Sequence, residues 1–257
     1  MKILCLSDLH QQMNDIMDVI HRQHFTPYLQ SIRDLVEEIA PDVVVVTGDT
    51  VPPAFVVSLN AFFQNLISTE LPIVATLGNH EFWGRSFEET LEAVRHQNAV
   101  APNVHILDVE SSVEIGGYNF VGGCLFFDGS MRWREDDDIV PWDGWQDWRI
   151  PDIETRYKEF NAYYVEHIKV EMKSNMPNIL CTHHLPHIAL NGFEPNHYSF
   201  YSGMRDLVSQ LPFDEAFPNA LICGHTHKRV IGEVVKGFYC VNVGSDYGLL
   251  MYYLLEL

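Results

Sequence analysis

Short runs of β-branched and other apolar residues alternate along this chain with longer segments whose apolar positions recur every three or four residues. The first pattern is that of buried strands and the second that of amphipathic helices, so their alternation predicts an α/β layered fold. Lys2–Ser7, Asp42–Thr47 and Leu71–Thr76 predict strands, and the unbroken DVVVVT at 42–47 predicts one buried on both faces. Between them, Pro27–Ile39 and Ala54–Ile67 predict helices, the first with Thr26 as N-cap and Pro27 in its first turn. Ser86–His96 predicts a third helix, opened by the capping box Ser86-x-x-Glu89.

The second half is richer in strands. Val104–Leu107, Ser112–Ile115 and Tyr118–Phe126 fit, with Gly116-Gly117 as the turn between the last two. Asn178–Thr182 and Ala220–Cys223 follow, and Phe238–Val243 with Leu249–Leu255 is expected to close the chain as a pair of strands. No repeat or low-complexity linker interrupts the pattern, so residues 1–257 are expected to form a single domain. The stretch at about 128–173 stands apart as an insertion of the kind used for lids and binding loops. It opens polar and tryptophan-rich and continues as a predicted helix from Ile153 to about Lys173. Its Trp133, Trp142, Trp145 and Trp148 suit either a satellite core or the lining of a ligand pocket.

Composition narrows the function. Hydrophobic residues at 47% and charged ones at 20% allow a full core. Sixteen Lys and Arg against 35 Asp and Glu leave a net charge of -19, which repels phosphate backbones and disfavours a dedicated nucleic-acid binder without a local basic groove. The five cysteines include no CxxC pair, which argues against a zinc knuckle or a disulfide framework. Cys5, Cys181 and Cys223 lie in apolar runs and are expected to be buried thiols. A reducing, cytoplasmic setting is expected. The opening MKILCLSDLH reaches Asp8 too soon for a signal-peptide core or a membrane span.

Five polar clusters each follow an apolar run: Asp8-Leu9-His10, Gly48-Asp49, Gly78-Asn79-His80-Glu81, Thr182-His183-His184 and Gly224-His225-Thr226-His227. In open α/β sheets ligands gather beyond the carboxyl ends of strands, so distant clusters can converge. Asp, His and Asn supply oxygen and imidazole nitrogen donors with no thiolate, a set suited to Mn, Fe, Zn or Co. Residues two apart on extended chain project the same way, which pairs Asp8 with His10 and His225 with His227. The glycines before Asp49, Asn79 and His225 permit sharp turns and close backbone approach. Seven donors exceed what one tetrahedral ion takes, whereas two ions sharing a carboxylate use them all. Such a pair, roughly 3.5–4 Å apart, grips a phosphoryl group and lowers the pKa of a bound water toward ~7.

The series D-x-H, GD, GNH[DE], TH and GHxH, in this order from Asp8 to His227, resembles the calcineurin-like metallophosphoesterase superfamily. The resemblance implies a four-layer αββα sandwich of two mixed β-sheets flanked by helices, with a dinuclear site at one sheet edge. By similarity, Asp8, His10, Asp49 and His227 hold one metal, and Asp49 bridges to a second held by Asn79, His183 and His225. His80 is implied as general acid or transition-state stabiliser for the leaving oxygen. In the tandem pair the ligand is assigned to His183, which follows the Thr as the pattern requires. His184 is then expected behind the site or facing substrate, and His187 and His197 in the following loop are candidate substrate contacts. Glu81 is expected to hold its loop through backbone amides. Arg132 and Arg134 are expected to be solvated beside the acidic run 135–138.

The protein Ser/Thr phosphatases of the superfamily carry GDxVDRG, whereas Gly48-Asp49 is followed here by Thr50-Val51-Pro52-Pro53, without their second Asp and their Arg. The expected enzyme is therefore a metal-dependent hydrolase of a small-molecule phosphodiester or phosphomonoester, using hydroxide generated at two metal ions, Mn foremost. The Thr182–Pro186 stretch resembles the HHxP form of bacterial phosphodiesterase relatives. Two alternatives differ in class. A non-catalytic scaffold on this fold would bind a protein partner through a remodelled metal site, but every catalytic position is filled. A nuclease of the superfamily would need a basic groove that the charge balance does not favour.

Overall fold

The computed structural model of the chain describes residues 1–10, 28–67, 70–97, 101–133, 145–214, 217–247 and 249–257. Within them, two mixed sheets lie face to face. In the first, β1 (Lys2–Leu6), β2 (Val43–Thr47), β3 (Ile73–Thr76) and β4 (Val104–Ile106) run parallel in that order. β11 (Tyr253–Glu256) pairs antiparallel with β1 at the edge. The second sheet has the order β5 (Ser112–Ile115), β6 (Tyr118–Gly123), β7 (Asn178–Thr182), β8 (Asn219–Cys223), β10 (Phe238–Asn242), β9 (Val230–Val235). Its four inner strands are parallel, and β5 and β9 are antiparallel edges.

The period-2 alternation of side chains builds the layers. Ile3, Cys5, Val43, Val45 and Val74 point from the first sheet into a core shared with Phe120, Ile179, Cys181, Ile222 and Val241 of the second. Their neighbours Leu4, Leu6, Val44 and Val46 on one side, and Leu180 and Leu221 on the other, pack under helices. On the first sheet these helices are α1 (Tyr28–Ile39), α2 (Leu59–Leu66) and α3 (Phe87–Arg95). The stripe of α1 reads Tyr28, Ile32, Leu35, Val36 and Ile39, the spacing of one helical face. A short turn, α4 (Leu107–Glu110), links the sheets, and α5 (Ile153–Glu171) covers the second with Phe160, Tyr164 and Ile168. The result is the αββα sandwich of two mixed sheets flanked by helices. The predicted helix in the insertion is thus one of the outer layers. Its Tyr164 hydroxyl donates to the buried Asp108 carboxylate at 2.7 Å.

Most boundaries fall within two residues of expectation, and the exceptions have local causes. Thr26 and Pro27 lie outside the described residues. Ser86 Oγ accepts from the Glu89 amide at 3.2 Å and the Glu89 carboxylate from the Ser86 amide at 3.1 Å, which completes the expected capping box. The helix expected at Ala54–Ile67 begins as a 3-10 segment, Pro53–Ser58, behind two prolines. β6 stops at Gly123 and not at Phe126, because Leu125 and Phe126 turn to φ 72° and 55°. β9 is an edge strand with mixed exposure and lacked the apolar run that marks the others. The two closing strands do not pair with each other. β10 lies inside the second sheet, while β11 crosses to β1, where Leu255 enters the core between the sheets. All five cysteines are buried free thiols. Among the described residues no helix is long and apolar enough to cross a membrane.

The core between the sheets predicts a graded response to truncation. Phe120→Ala, at a fully buried ring, is expected to lower unfolding free energy by about 3–5 kcal/mol in equilibrium denaturation. Val234→Ala on the edge strand, 41% exposed, is expected to stay within about 0.5 kcal/mol of the parent.

Candidate metal centre

The loops leaving β1, β2, β3, β7 and β8 meet at one end of the sandwich. Backbone bonds stitch them: the Asp8 amide donates to the Gly48 carbonyl at 3.1 Å, His10 to Asp49 at 2.8 Å, and Gly224 to His183 at 3.1 Å. Packing leaves no room for side chains at the glycines. A Cβ on Gly78 would sit 2.1 Å from Asp49 Oδ1, and one on Gly224 would sit 1.7 Å from Ser7 Oγ. Among the described residues, ten non-glycine residues have positive φ, and five of them are Asp8, His10, Asp49, His225 and His227. Concentration of this strained conformation in one place marks a site whose geometry the surrounding structure imposes.

The hydrogen bonds around the site reveal which atoms are bare. His183 Nδ1 lies 2.9 Å from the Thr47 carbonyl, which can only accept, so that nitrogen carries the proton and Nε2 is a lone pair. His225 Nε2 likewise donates to the Tyr201 carbonyl at 3.1 Å, which leaves Nδ1 bare. Asn79 Nδ2 donates to Asp147 at 2.7 Å, which turns Oδ1 inward. The three acceptors then face one another: Asn79 Oδ1 is 2.9 Å from His183 Nε2 and 3.2 Å from His225 Nδ1, and the two nitrogens are 3.2 Å apart. No proton lies between them. Lone pairs gathered so closely repel unless a cation stands among them, and the donor set fits one.

A second group adjoins the first. His10 Nε2 and His227 Nε2 are 3.1 Å apart, and His227 Nε2 is 3.4 Å from Asp8 Oδ1. Asp49 lies between the groups, with Oδ1 3.5 Å from His183 Nε2 and Oδ2 3.7 Å from His10 Nε2. One oxygen thus faces each set, as a bridging carboxylate would. His80 stands at the rim, its Nε2 3.6 Å from Asp49 Oδ2 and its amide donating to Asp49 Oδ1 at 3.0 Å. Asp8, His10, Asp49, His80, His183, His225 and His227, with His184 beside His183 and His225, therefore fall into groupings able to hold metal ions, and Asn79 Oδ1 faces His183 and His225.

Electrostatics favour the neutral, ligand-ready form of every imidazole in the two groups except His227. Burial, reinforced by neighbouring rings, pushes His80 down to about 2, His225 to about 3 and His10 to about 4, and lowers His183. Burial pushes Asp8 upward, but the hydrogen bond and charge of His227 outweigh it and hold the carboxyl below its usual range. His227 is raised in turn, since Asp8 outweighs its desolvation. Burial, together with the nearby Glu81 and Asp8 carboxylates, pushes Asp49 well above the ordinary value. A bound cation reverses that balance, so cation uptake and proton release are linked here.

Two carboxylates support the site from behind. Glu81 takes the Thr50, Val51 and Gly78 amides at 2.7–2.9 Å and the Asp49 amide at 3.1 Å, the loop-holding role expected of it. Burial raises it to about 7. Asp147 was not foreseen, because its only sequence context is a tryptophan-rich loop. It is buried and accepts from Asn79 Nδ2, from Trp83 Nε1 at 3.0 Å and from Trp145 Nε1 at 2.7 Å. Trp83 in turn stacks on His80 with ring centroids 3.6 Å apart. One carboxylate therefore orients both the Asn79 amide and the ring that backs His80.

The remaining expectations resolve as follows. His184 does not face the open pocket. It is fully buried, its ring 4.1 Å from that of His225 and 5.4 Å from Phe126, with Nδ1 on the Cys124 carbonyl and Nε2 without a hydrogen-bond partner. His187 caps the short helix Ile188–Leu190, accepting from Ala189, away from the pocket. His197 begins the segment His197–Tyr201 and packs on Tyr198. Arg132 lies over the Phe200 ring; Arg134, Trp142 and the acidic run lie outside the described residues. The tryptophans divide between the two expected roles. Trp145 stacks on Tyr201 at 4.7 Å against the core, while Trp148 is 57% exposed and lines a cavity of about 740 Å³ that also touches His10 and His80.

Comparison with known proteins shows the family and the fold. The family profile described as calcineurin-like phosphoesterase matches residues 1–229. Among solved structures, the phosphopantetheinyl hydrolase of Mycobacterium tuberculosis superposes with a TM-score of 0.65 at 13% identity, covering 96% of this chain and 90% of that one. A dimetal phosphatase from Danio rerio superposes with a TM-score of 0.47 at 12% identity, over 98% and 91% of the two chains. No curated protein matches the sequence.

If Asp147 orients Asn79, replacing it alters cation binding without unfolding the chain. Asp147→Asn, which puts an amide NH₂ in place of one accepting oxygen and so against at least one of the three N–H donors, is expected to weaken cation binding about 10- to 100-fold in competition with a fluorescent chelator. The circular dichroism spectrum is expected to match the parent.

Proposed function

The chain belongs to the calcineurin-like phosphoesterase family and is a metal-dependent phosphoester hydrolase, and from that premise we propose that it hydrolyses a small-molecule phosphodiester or phosphomonoester. The observation that carries this reading is the set of bare lone pairs on Asn79, His183 and His225, joined through Asp49 to those of Asp8, His10 and His227. In it, Asp8, His10, Asp49 and His227 would hold one cation, and Asp49, Asn79, His183 and His225 would hold the other. Bound there, the pair supplies Lewis-acid charge and lowers the pKa of water, with Mn the cation expected to support activity.

The chain's own groups do the rest. His183 and His225 are held in one tautomer by the Thr47 and Tyr201 carbonyls, so their lone pairs need no reorganisation during turnover. His80, 29% exposed toward the cavity, meets the leaving oxygen as general acid or as hydrogen-bond donor. Glu81 keeps the Asp49 and Gly78 loops at fixed separation, which preserves the position of the attacking and leaving atoms.

A small ester fits the cavity and carries few negative charges, whereas a nucleic-acid backbone, charged at every phosphate, would meet far stronger repulsion from a chain at -19. Residues 1–257 act as one catalytic domain in this reading, and the five free thiols suit a reducing cytoplasm.

Dialysis against a chelator is expected to abolish hydrolysis of 4-nitrophenyl phosphate and bis(4-nitrophenyl) phosphate, with recovery on adding Mn²⁺. Failure of every divalent metal to restore turnover would overturn the proposal. His80→Ala is expected to lower kcat by about 10²–10⁴-fold with metal content unchanged by elemental analysis. An unaltered rate in that variant would favour the scaffold alternative.

A further inference from the structure

The cavity beside His80 has a composition that the chemistry of phosphate transfer does not require. Its walls are largely apolar and aromatic: Pro52, Pro53, Trp83, Trp148 and Tyr247. Trp148 and Tyr247 are 57% and 40% exposed, a costly placement for large rings unless a ligand covers them. Tyr247 stands 5.3 Å from the His10 ring and 5.4 Å from the His227 ring, so this wall borders the candidate metal centre directly.

One cation lies in the lining, Arg149. Its guanidinium is 4.8 Å from the centre of the Trp83 ring and 5.7 Å from that of Trp148. Its backbone carbonyl accepts from the Gly84 amide at 2.8 Å, which ties it to the loop that carries His80. Among the described residues no carboxylate pairs with it and no acceptor takes its side-chain N–H groups. A guanidinium held between rings and left with free donors is prepared for an oxyanion that two N–H groups can grip. Trp83 separates it from His80, stacked on the one at 3.6 Å and beneath the other. Arg149 is therefore one ring removed from the point where the leaving oxygen departs.

We propose that this cavity is the leaving-group pocket and selects an ester whose leaving group carries a flat ring and, beyond it, a second oxyanion, either carboxylate or phosphate. The proposal rests on His80 facing the leaving group. The exposed faces of Trp148 and Tyr247 take the ring, and Arg149 takes the oxyanion. With Trp83 between it and His80, Arg149 is a specificity determinant and not a catalytic residue.

Non-hydrolysable probes test the pocket apart from turnover. Benzylphosphonate, its 4-carboxy derivative and its 4-phosphonomethyl derivative are titrated into the full chain, with and without Mn²⁺, following tryptophan fluorescence. The charged derivatives are expected to bind at least about tenfold more tightly than benzylphosphonate, and the better of the two identifies the oxyanion. In Arg149→Met that ratio is expected to fall toward one, and Arg149→Lys is expected to restore part of it. Trp148→Ala is expected to weaken all three probes and reduce the quench.

Three results would overturn the assignment: no binding of any probe, a ratio near one in the parent, or a ratio that Arg149→Met leaves intact. Equal weakening of all probes in Arg149→Met would also sink it, by placing the guanidinium on the phosphonate itself. Loss of metal-dependent turnover with the probe ratio preserved would instead count against the hydrolase reading and leave the pocket standing.

Discussion

Acceptor atoms that face one another with no proton between them are the constraint on which this end of the molecule depends. Asn79 Oδ1, His183 Nε2 and His225 Nδ1 lie 2.9–3.2 Å apart because each side chain spends its proton on an outward partner. Thr47, Tyr201 and Asp147 are those partners. A buried cluster of lone pairs costs free energy when empty of charge, and a cation turns the same geometry into attraction. The imidazoles of His10, His183 and His225 are kept neutral by burial, which is also the form that binds metal.

Holding such an arrangement requires backbone that resists relaxation. Five of the clustered residues sit at positive φ, and the loops that carry them are packed closely enough to exclude a Cβ at Gly48, Gly78 and Gly224. The sheets supply the frame: five strands deliver their carboxyl ends to one place, and a core of fully buried Val, Ile and Phe keeps them there. Glu81 and Asp147 then tie the loops together, each accepting at least three N–H donors. The described end of the tryptophan-rich segment thus supports the candidate metal centre through Asp147 and furnishes the cavity wall through Trp148 and Arg149.

The charge distribution fits this division of labour. A chain at -19 attracts cations over a distance and concentrates them near a site built from carboxylates and imidazoles. The same charge would hinder an anionic ester; among the described residues Arg149 has no carboxylate partner, and under the proposed reading it offsets that charge beside His80.

The sequence by itself determined the layers and the donors. Runs such as Val43–Val46 could only be buried strands, the Ser86/Glu89 box fixed the start of α3, and each of the five polar clusters stood where a strand had to end. Those signals are local, carried by side-chain period and by residue type over a few positions. Tertiary structure decided what depends on contacts distant in sequence. β11 pairs with β1 and not with β10, because burying Leu255 between the sheets outweighs adjacency along the chain. His184 is fully buried against His225 because its Nδ1 meets the carbonyl of Cys124, 60 residues away. Asp147 and Arg149 acquire their roles only when a loop folds back about 70 residues onto Asn79 and Trp83, a contact that no local pattern encodes.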